Sequence, residues 1–261
     1  LRFKKIINLE GAELMSATYS DLKNRSVFIT GGAAGIGAAM VEAFAAQGAR
    51  TAFIDIDEQA GRVLSDATGA RFDACDVRDL DKLQSVIADV GSDLGNISVL
   101  VNNAGNDARH EVAEVTPEYW RERLSINLDH VFFASRAVQP QMQALGGGSI
   151  INYGSTNWLA GGRGMIGYQT SKAAIHGLTK GLTREFGPDQ IRVNCILPGW
   201  IMTKRQKTLW LDEAGERWLD DRQALPGRIE PADVANMAVF LGSDAAKMCS
   251  GQFFTVDGGL I

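Results

Sequence analysis

The sequence has little cysteine, histidine or proline, and it lacks runs of one charge and long apolar stretches. Its three cysteines are scattered and form no CxxC motif, which excludes a disulfide framework and indicates reduced thiols in a cytoplasmic protein. The three histidines include no i, i+4 pair, so we expect no metal site. A net charge of −5 without extended basic runs argues against nucleic acid or an anionic membrane as a partner. No uncharged apolar stretch approaches the ~20 residues that a membrane-spanning helix needs.

Glycine, by contrast, is abundant. The chain has 29 glycines in 261 residues, about 11% against a usual ~7%. Because there are only six prolines, this excess does not indicate disorder or collagen. It predicts tight turns or places where the backbone comes close to a ligand. The length and the 45% content of hydrophobic residues suit one large α/β domain with a sizeable core.

Residues 1–21 are expected to form an N-terminal extension before a domain at 22–261. The extension has no strand–helix pattern, and its apolar run at 6–9 is too short for the core of a signal peptide. The first residue is not methionine, whereas Met15 offers a plausible start. We therefore expect residues 1–14 to derive from an expression vector or a misplaced start.

From Ser26 onward, strand-like and helix-like segments alternate along the chain. The patterns predict strands at 26–30, 51–54, 70–75, 98–101, 149–153, 191–197 and 253–256. They predict helices at 35–47, 58–67, 80–94, 117–145, 168–186 and 231–241. This alternation predicts an α/β fold: a single-domain doubly wound (Rossmann) parallel sheet of about seven strands with helices on both faces. A substrate loop is predicted at about 200–225, and its polar, tryptophan-containing stretch at 208–223 is predicted to move as a lid.

A glycine-rich turn, TGGAAGIG at 30–37, joins the first strand to the first helix. Its glycines Gly31, Gly35 and Gly37 permit a sharp turn and the close approach of a pyrophosphate to the helix N-terminus. Asp55 ends the second strand, where a carboxylate accepts hydrogen bonds from an adenosine ribose. That charge would repel a 2′-phosphate, and no Arg or Lys lies in the turn to hold one. The sequence therefore favours NAD over NADP.

The chain from about Leu22 to its C-terminus resembles the classical short-chain dehydrogenase/reductase family. The resemblance rests on the order and spacing of TGxxxGxG at 30–37, NNAG at 102–105, Asn127, Ser155, the YxxxK pair Tyr168 and Lys172, and Pro198-Gly199 followed by Ile201 and Thr203. Within the family, it is similar to bacterial NAD-dependent aldose 1-dehydrogenases of the D-xylose or L-arabinose type. That similarity rests on NNAGNDARH at 102–110, NYGSTNW at 152–158 and TKRQ at 203–206.

The resemblance implies a set of residues that bind the nicotinamide cofactor. It places adenine against Asp76 and Val77, the adenosine ribose along 103–105, and the nicotinamide carboxamide at Ile201 and Thr203. The whole expected set is Gly31, Gly35, Ile36, Gly37, Asp55, Ile56, Asp76, Val77, Asn103, Ala104, Gly105, Tyr168, Lys172, Pro198, Gly199, Ile201 and Thr203.

Tyr168 and Lys172 are spaced i, i+4, so they share one face of the predicted helix. A free tyrosine has a pKa of about 10 and is a poor base at neutral pH, but a nearby ammonium lowers that pKa. Tyr168 is therefore the candidate base that takes a proton from a substrate hydroxyl while hydride leaves for NAD. The Ser155 hydroxyl can donate to the substrate oxygen. The resemblance further implies that Lys172 binds the nicotinamide ribose and that Asn127 positions Lys172 through water in a proton relay.

Polar side chains follow several strands at their carboxyl ends, where ligands of doubly wound sheets bind. Such groups would discriminate against substrates without hydroxyls, and a tryptophan face can stack on a pyranose. They predict a sugar substrate. The candidate substrate residues are Asn106, Asp107, Arg109, His110, Ser155, Asn157, Trp158, Gln169, Trp200, Lys204 and Arg205.

The function expected from these features is oxidation of an aldose, a pentose, at C1 with NAD to give the aldonolactone. Within the same chemistry, the alternatives are another polyol, a keto-deoxy sugar acid or a 3-oxoacyl substrate. A non-catalytic NAD-binding regulator is an alternative of another class, and the complete set Asn127, Ser155, Tyr168 and Lys172 counts against it. The resemblance also implies a homotetramer in which helices 117–145 and 168–186 pair across a two-fold axis.

Overall fold

The computed structural model describes residues 17–261, and in this part of the chain seven parallel strands form one sheet. The strands are β1 (Ser26–Thr30), β2 (Arg50–Asp55), β3 (Arg71–Ala74), β4 (Ile97–Asn102), β5 (Gly148–Tyr153), β6 (Ile191–Pro198) and β7 (Phe253–Val256). Their order is β3-β2-β1-β4-β5-β6-β7, so the direction of winding reverses between β1 and β4. Residues 1–14, expected to be foreign to the protein, lie outside the described residues.

Helices connect the strands and cover the sheet. They are α1 (Gly35–Ala46), α2 (Glu58–Thr68), α3 (Leu80–Leu94), α4 (Pro117–Leu124), α5 (His130–Ala144), α6 (Asn157–Ala160), α7 (Ile166–Phe186), α8 (Lys204–Leu209), α9 (Glu213–Arg222) and α10 (Pro231–Gly242). Helices α1, α2 and α10 pack on one face, and α3, α5 and α7 pack on the other. The predicted doubly wound sheet with helices on both faces is therefore confirmed.

The central strands are buried on both faces, because each face is covered by helices. In β1, Val27 and Ile29 belong to the core under α1 and α10, whereas Phe28 belongs to the core under α3 and α5. None of these three side chains has exposed surface. This explains why β1 is a continuous apolar run rather than an alternating one.

Several helices begin at a residue whose side chain caps the first turn. The Asp57 carboxylate accepts a hydrogen bond from the Ala60 backbone N–H at 3.0 Å at the start of α2. The Thr116 hydroxyl does the same for the Tyr119 N–H at 3.2 Å at the start of α4, where Pro117 supplies a fixed φ. These short polar side chains accept hydrogen bonds from backbone N–H groups that have no partner within the helix.

The structure corrects two sequence-based predictions about helices. The segment predicted as one helix at 117–145 is interrupted by a π-helical turn at Ser125–Asp129, between α4 and α5. The segment predicted as a substrate loop at about 200–225 contains two helices, α8 and α9. Apolar spacing did not distinguish a π turn from an α turn, because one extra residue within a turn shifts the apolar stripe only slightly.

Candidate active site

A cavity of about 930 Å³ lies at the carboxyl ends of the strands. Every residue predicted to bind the cofactor lines it, from Gly31 to Thr203. Of the candidate substrate residues in the connecting loops, those that line it are Asn106, Asp107, Arg109, Ser155, Asn157, Trp200, Lys204 and Arg205. We call the part formed by residues 31–37 and Asp55 the glycine end, and the part formed by Asp107 and residues 200–206 the loop end.

The glycine end is shaped by backbone that has no room for side chains. Gly31 has a φ of +66°, and a Cβ atom there would lie 2.8 Å from the Ala104 Cα atom. A Cβ atom on Gly37 would lie 1.9 Å from the Gly31 carbonyl oxygen. The N-cap of α1 is Ala34, whose methyl side chain cannot accept hydrogen bonds from the N–H groups of the first turn. These N–H groups, the helix dipole and the glycine cradle fit the pyrophosphate of a dinucleotide.

Asp55 fixes the wall beside this turn. One of its carboxylate oxygens accepts a hydrogen bond from the Ala33 N–H at 2.9 Å, and the other accepts one from the Asp57 N–H at 3.1 Å. The carboxylate therefore has a defined orientation at the cavity wall, which fits the role of a ribose ligand. Arg78 is a basic residue farther along this wall, and its guanidinium is paired with Asp76 at 2.6 Å.

Asn103 ties the ends of β1 and β4 together where the winding of the sheet reverses. Its side-chain amide donates hydrogen bonds to the Thr30 carbonyl at 3.1 Å and to the Gly31 carbonyl at 2.8 Å. The Thr30 hydroxyl in turn accepts from the backbone N–H groups of Asn103 and Ala104, each at 3.1 Å. The donors of the asparagine side chain are thus used in hydrogen bonds within the protein, and these bonds stabilise the glycine turn.

Tyr168 and Lys172 project from α7 into the middle of the cavity. The Tyr168 hydroxyl hydrogen-bonds with the Ser155 side chain, which stands just beyond the end of β5. The Lys172 ammonium donates to the Tyr153 carbonyl at 2.7 Å and lies 5.6 Å from the centroid of the Tyr168 ring. The hydroxyl groups of Tyr168 and Ser155 and the buried ammonium of Lys172 therefore lie close together at the cavity wall.

The electrostatics of this group differ from the sequence-based expectation. Burial raises the pKa of Tyr168 to about 12, the hydrogen bond with Ser155 opposes the rise, and the charge of Asp107 adds to it. Burial lowers the pKa of Lys172 to about 8. The expected lowering of the Tyr168 pKa by Lys172 is not seen in this structure, because the ammonium is directed to the Tyr153 carbonyl and desolvation dominates.

Asn127 lies in the π-helical turn, and its side chain is fully buried. Its amide oxygen accepts from the Asn106 N–H at 2.7 Å, and its NH₂ group donates to the Arg123 carbonyl at 2.9 Å. It does not line the cavity, but a Cβ atom on Gly105 would lie 3.1 Å from its oxygen and 3.4 Å from the Lys172 nitrogen. The turn therefore places Asn127 behind the backbone that adjoins Lys172, and π turns occur frequently at functional sites.

His130 is a second buried polar residue at this point, and the sequence analysis missed it. Its Nε2 atom lies 3.2 Å from the Ala104 carbonyl oxygen. Burial, together with the charge of Lys172, lowers the pKa of His130 to about 3. The neutral ring donates from Nε2 to Ala104, and its Nδ1 atom is buried without a partner. A single histidine within a helix carries no sequence signal for such a role.

At the loop end, side chains from separate loops converge on Asp107. Its carboxylate accepts from the Arg205 Nε–H at 3.2 Å and from the Gln206 side-chain NH₂ at 2.7 Å. The oxygen of the Gln206 amide accepts from the Trp200 indole N–H at 3.0 Å. Thr203, expected at the nicotinamide, also caps α8 by accepting from the Gln206 N–H at 3.2 Å. Gln206 was recognised only as part of the TKRQ segment, and no role was assigned to it.

Three candidate substrate residues lie outside the cavity lining. The Nδ1 atom of His110 lies 3.0 Å from the Tyr119 hydroxyl. Trp158 packs edge-on against the ring of His176. Gln169 donates to the side-chain oxygen of Asn157 at 2.6 Å, so it orients a lining residue instead of forming the wall. All three were expected at the carboxyl ends of the strands, but their side chains contact other protein groups and do not line the cavity.

Other lining residues were missed by sequence reasoning. Trp218 on α9 lies edge-on to Trp200, with ring centroids 6.1 Å apart, and Gly215 makes room for this pair. Arg163 and Leu260 also line the cavity, the latter near the end of the chain. No local pattern marks these residues, because they reach the site only through the packing of α9 and the C-terminal segment.

Two absences hold for the described residues 17–261. No group of three or more histidine, cysteine or acidic side chains in this part of the chain is arranged to hold a metal ion. Within the same range, no helix combines the length and apolarity that crossing a bilayer requires.

Comparisons with known proteins agree with this geometry. Residues 31–261 match the family model described as enoyl-(acyl carrier protein) reductase. The chain is 43% identical over 251 residues to D-xylose 1-dehydrogenase of Caulobacter vibrioides, covering 94% of this chain and 99% of that protein. It is also 43% identical over 253 residues to a probable galactose dehydrogenase of Rhizobium meliloti, covering 95% and 99% respectively.

A solved structure gives the same picture of the fold. The structure of a short-chain type dehydrogenase/reductase from Mycobacterium ulcerans has a TM-score of 0.86 to this chain at 27% sequence identity. The match covers 94% of this chain and 91% of the other.

Proposed function

The chain belongs to the short-chain dehydrogenase/reductase family, and from this premise we propose that it oxidises an aldose at C1 with NAD to give the aldonolactone. It is an oxidoreductase, and dehydrogenases of this family use a nicotinamide cofactor. The proposed aldose is a pentose such as D-xylose or L-arabinose. The observation that carries the proposal is the pairing of Tyr168 with Ser155 in a cavity that the Asp107 carboxylate also lines.

In the proposed reaction, Tyr168 removes the proton of the C1 hydroxyl. Ser155 donates a hydrogen bond to the same oxygen and stabilises the negative charge that develops on it. Lys172 supplies positive charge beside Tyr168, and Asn127, which lies behind the backbone next to Gly105, helps to position Lys172 through water in a proton relay. When bound, the dinucleotide supplies the hydride acceptor. Because the pKa of Tyr168 is about 12 in this structure, the rate is expected to rise with pH above neutrality.

The proposed cofactor is NAD rather than NADP. Its pyrophosphate would lie on the glycine end, and its adenosine ribose would hydrogen-bond with Asp55. Support comes from the fixed orientation of the Asp55 carboxylate, whose charge opposes a 2′-phosphate. Arg78 is already paired with Asp76 and Glu122, so it is not free to compensate that phosphate.

A panel of aldoses assayed with NAD and with NADP tests the proposal through the absorbance of the reduced cofactor. We expect pentoses to be oxidised with NAD, and the product to be a lactone that hydrolyses to the aldonic acid. A hexose is the second candidate, because the probable galactose dehydrogenase has the same identity to this chain as the xylose enzyme. Failure to oxidise any aldose would contradict the proposal.

We further propose that residues 22–261 are the catalytic domain of a cytoplasmic homotetramer. Three cysteines without disulfide partners, Cys75, Cys195 and Cys249, support a reducing compartment. The proposed contact pairs the helices of 117–145 and 168–186 across a two-fold axis, and the half-exposed ring of Phe132 on α5 supports an interface there. Sedimentation velocity measures the mass, and a monomer across the assay range would contradict this assembly.

A further inference from the structure

Four side chains at the loop end form one connected group, which we call the Asp107 clasp. Asp107 follows β4, and its partners Trp200, Arg205 and Gln206 follow β6. Arg205 Nε and the Gln206 NH₂ group donate to different oxygens of the Asp107 carboxylate, at 3.2 and 2.7 Å. The Trp200 indole N–H donates to the Gln206 oxygen at 3.0 Å. Two loops that are far apart in sequence are therefore joined through one glutamine.

The chemistry of the clasp requires an amide at position 206. An indole N–H only donates, so it must face the oxygen of the Gln206 amide. This fixes the NH₂ group on the other side, where it faces the Asp107 carboxylate, which only accepts. A glutamate at 206 would place a second carboxylate against Asp107, and a leucine would leave the Trp200 donor and the Asp107 oxygen without this partner. Gln206 therefore sets the orientation of Asp107.

Asp107 retains the capacity to bind a ligand. A carboxylate offers about four lone-pair sites, and Arg205 and Gln206 occupy one on each oxygen. Its side chain is 23% exposed, and it lines the cavity together with Ser155 and Tyr168. The effect of its charge on the pKa of Tyr168 places it within electrostatic reach of the catalytic hydroxyl. A hydroxyl-rich molecule held at Tyr168 thus has a carboxylate acceptor nearby.

We propose that Asp107 is the specificity-determining residue that accepts a hydrogen bond from a substrate hydroxyl next to the reacting carbon, and that Gln206 is the positioning residue that aims it. This inference rests on the proposed function for the identity of the ligand as a polyhydroxylated ring. It explains why the chain has a charged acceptor near the catalytic tyrosine even though its charge opposes ionisation of the phenol: the carboxylate selects the substrate. Alkyl alcohols without a second hydroxyl would leave the carboxylate without that partner.

The test is a double-mutant cycle between the protein and the substrate. Rates would be measured for the pentose and its 2-deoxy, 3-deoxy and 4-deoxy analogues with the wild type, Asp107→Asn, Gln206→Leu and Gln206→Glu. Lys207→Met is the matched control, because Lys207 lies on the same helix and pairs outward with Glu230. A hydrogen bond to a charged group corresponds to a roughly 10- to 100-fold change in kcat/KM.

We expect the 2-deoxy analogue to lose this factor with the wild type and with Lys207→Met, but not with Asp107→Asn or Gln206→Leu, and we expect the 3-deoxy and 4-deoxy analogues to respond alike in all variants. Gln206→Glu is expected to be the most impaired variant on the full pentose. If Asp107→Asn and Gln206→Leu discriminate among the analogues as the wild type does, the clasp only joins two loops and the inference is wrong. Because Asp107→Asn is nearly isosteric, it keeps the test valid even if Gln206→Leu does not fold.

A second readout separates this inference from the proposed function. Removing the charge in Asp107→Asn is expected to move the alkaline rise of kcat/KM to lower pH, whereas Lys207→Met leaves it in place. If the wild type oxidises a different alcohol and no aldose, the proposed function is wrong. The inference about Asp107 is then tested on that alcohol, by the pH profile of Asp107→Asn and by analogues of the alcohol that each lack one hydroxyl. An unchanged profile with no loss of hydroxyl discrimination would overturn it.

Discussion

The walls at the two ends of the cavity are formed by different parts of the residues, backbone at one end and side chains at the other. At the glycine end, most of the wall is backbone, and a Cβ atom on Gly31 or Gly37 would clash with neighbouring backbone atoms. At the loop end, the wall consists of long side chains, with Gln206 and Arg205 reaching Asp107 from another loop. A dinucleotide presents the same pyrophosphate in every reaction, so backbone donors suffice for it. A substrate must be distinguished from similar molecules, and that requires side chains in particular orientations.

The largest effect is expected from a substitution of Tyr168 that lowers the rate of the reaction without changing the affinity for the cofactor. We expect Tyr168→Phe to lower kcat by roughly 10²- to 10⁴-fold, because it removes the proposed general base. Cofactor affinity, measured by titration of the reduced cofactor fluorescence, should stay close to that of the wild type. Tyr119→Phe is the control, because the Tyr119 hydroxyl contacts His110 outside the cavity lining. Retention of most activity in Tyr168→Phe would assign the base to another group.

A single added methyl group in the glycine-rich turn is expected to disrupt the glycine end. Gly37→Ala would place a Cβ atom 1.9 Å from the Gly31 carbonyl oxygen, and overpacking of this kind costs about 1–3 kcal/mol. We expect a lower Tm and loss of cofactor binding, with hydroxyl discrimination at the loop end unaffected in whatever activity remains. The matched control is Gly181→Ala in α7, where a Cβ atom meets nothing within 4 Å. That variant should be as stable as the wild type or more so.

A smaller change at the same end sharpens the assignment of the cofactor. In Asp55→Ala, we expect the ratio of kcat/KM with NAD to kcat/KM with NADP to fall by roughly 10- to 100-fold, because a charged hydrogen-bond acceptor is lost. Glu58→Ala removes the same charge three residues away, at the exposed start of α2, without touching the glycine turn. If both variants keep the preference of the wild type, the ribose assignment is wrong.

The last expected effect is on stability alone, and it is absent at neutral pH and appears only as the pH falls below about 6.5. Burial lowers the pKa of His130 to about 3 from an ordinary 6.5, so the unfolded chain binds more protons than the native one between these values. The stability from neutral His130 is therefore present above pH ~6.5 and is lost as the pH falls toward 3, by at most about 1.4 kcal/mol per pH unit. His130→Gln keeps a donor near the position of Nε2 for the Ala104 carbonyl and removes this dependence.

Urea unfolding of the wild type and His130→Gln between pH 3 and 8 measures the difference. Both proteins share the acid sensitivity of their carboxylates, so the difference in the free energy of unfolding isolates the histidine. Parallel curves across the whole range would show that His130 takes up its proton as easily in the native state as in the unfolded one.

Much of the fold was predictable because it follows from local patterns. The boundaries of β1, α3 and β7 were predicted to the residue, since apolar runs flanked by glycine or polar caps define them. The glycine turn and the pair Tyr168 and Lys172 were located for a similar reason: each depends on residues close together in sequence. The π turn at Ser125–Asp129 was missed, because it arises where α4 and α5 meet the end of β4.

The candidate substrate residues show where local reasoning stops. Sequence position placed His110, Trp158 and Gln169 near the carboxyl ends of the strands, but their side chains contact Tyr119, His176 and Asn157 and do not line the cavity. The direction of a loop side chain depends on what packs beneath it, and that partner is often distant in sequence.

The sequence by itself determined the order of strands and helices along the chain, the position of the glycine-rich turn, and the membership of the chain in its family, because these depend on spacing and on the steric limits of individual residues. Only the tertiary structure decided that Gln206 bridges Trp200 and Asp107, that His130 supports Ala104, and that burial rather than Lys172 dominates the pKa of Tyr168. Each of these depends on distance and desolvation, which are set when remote segments pack together.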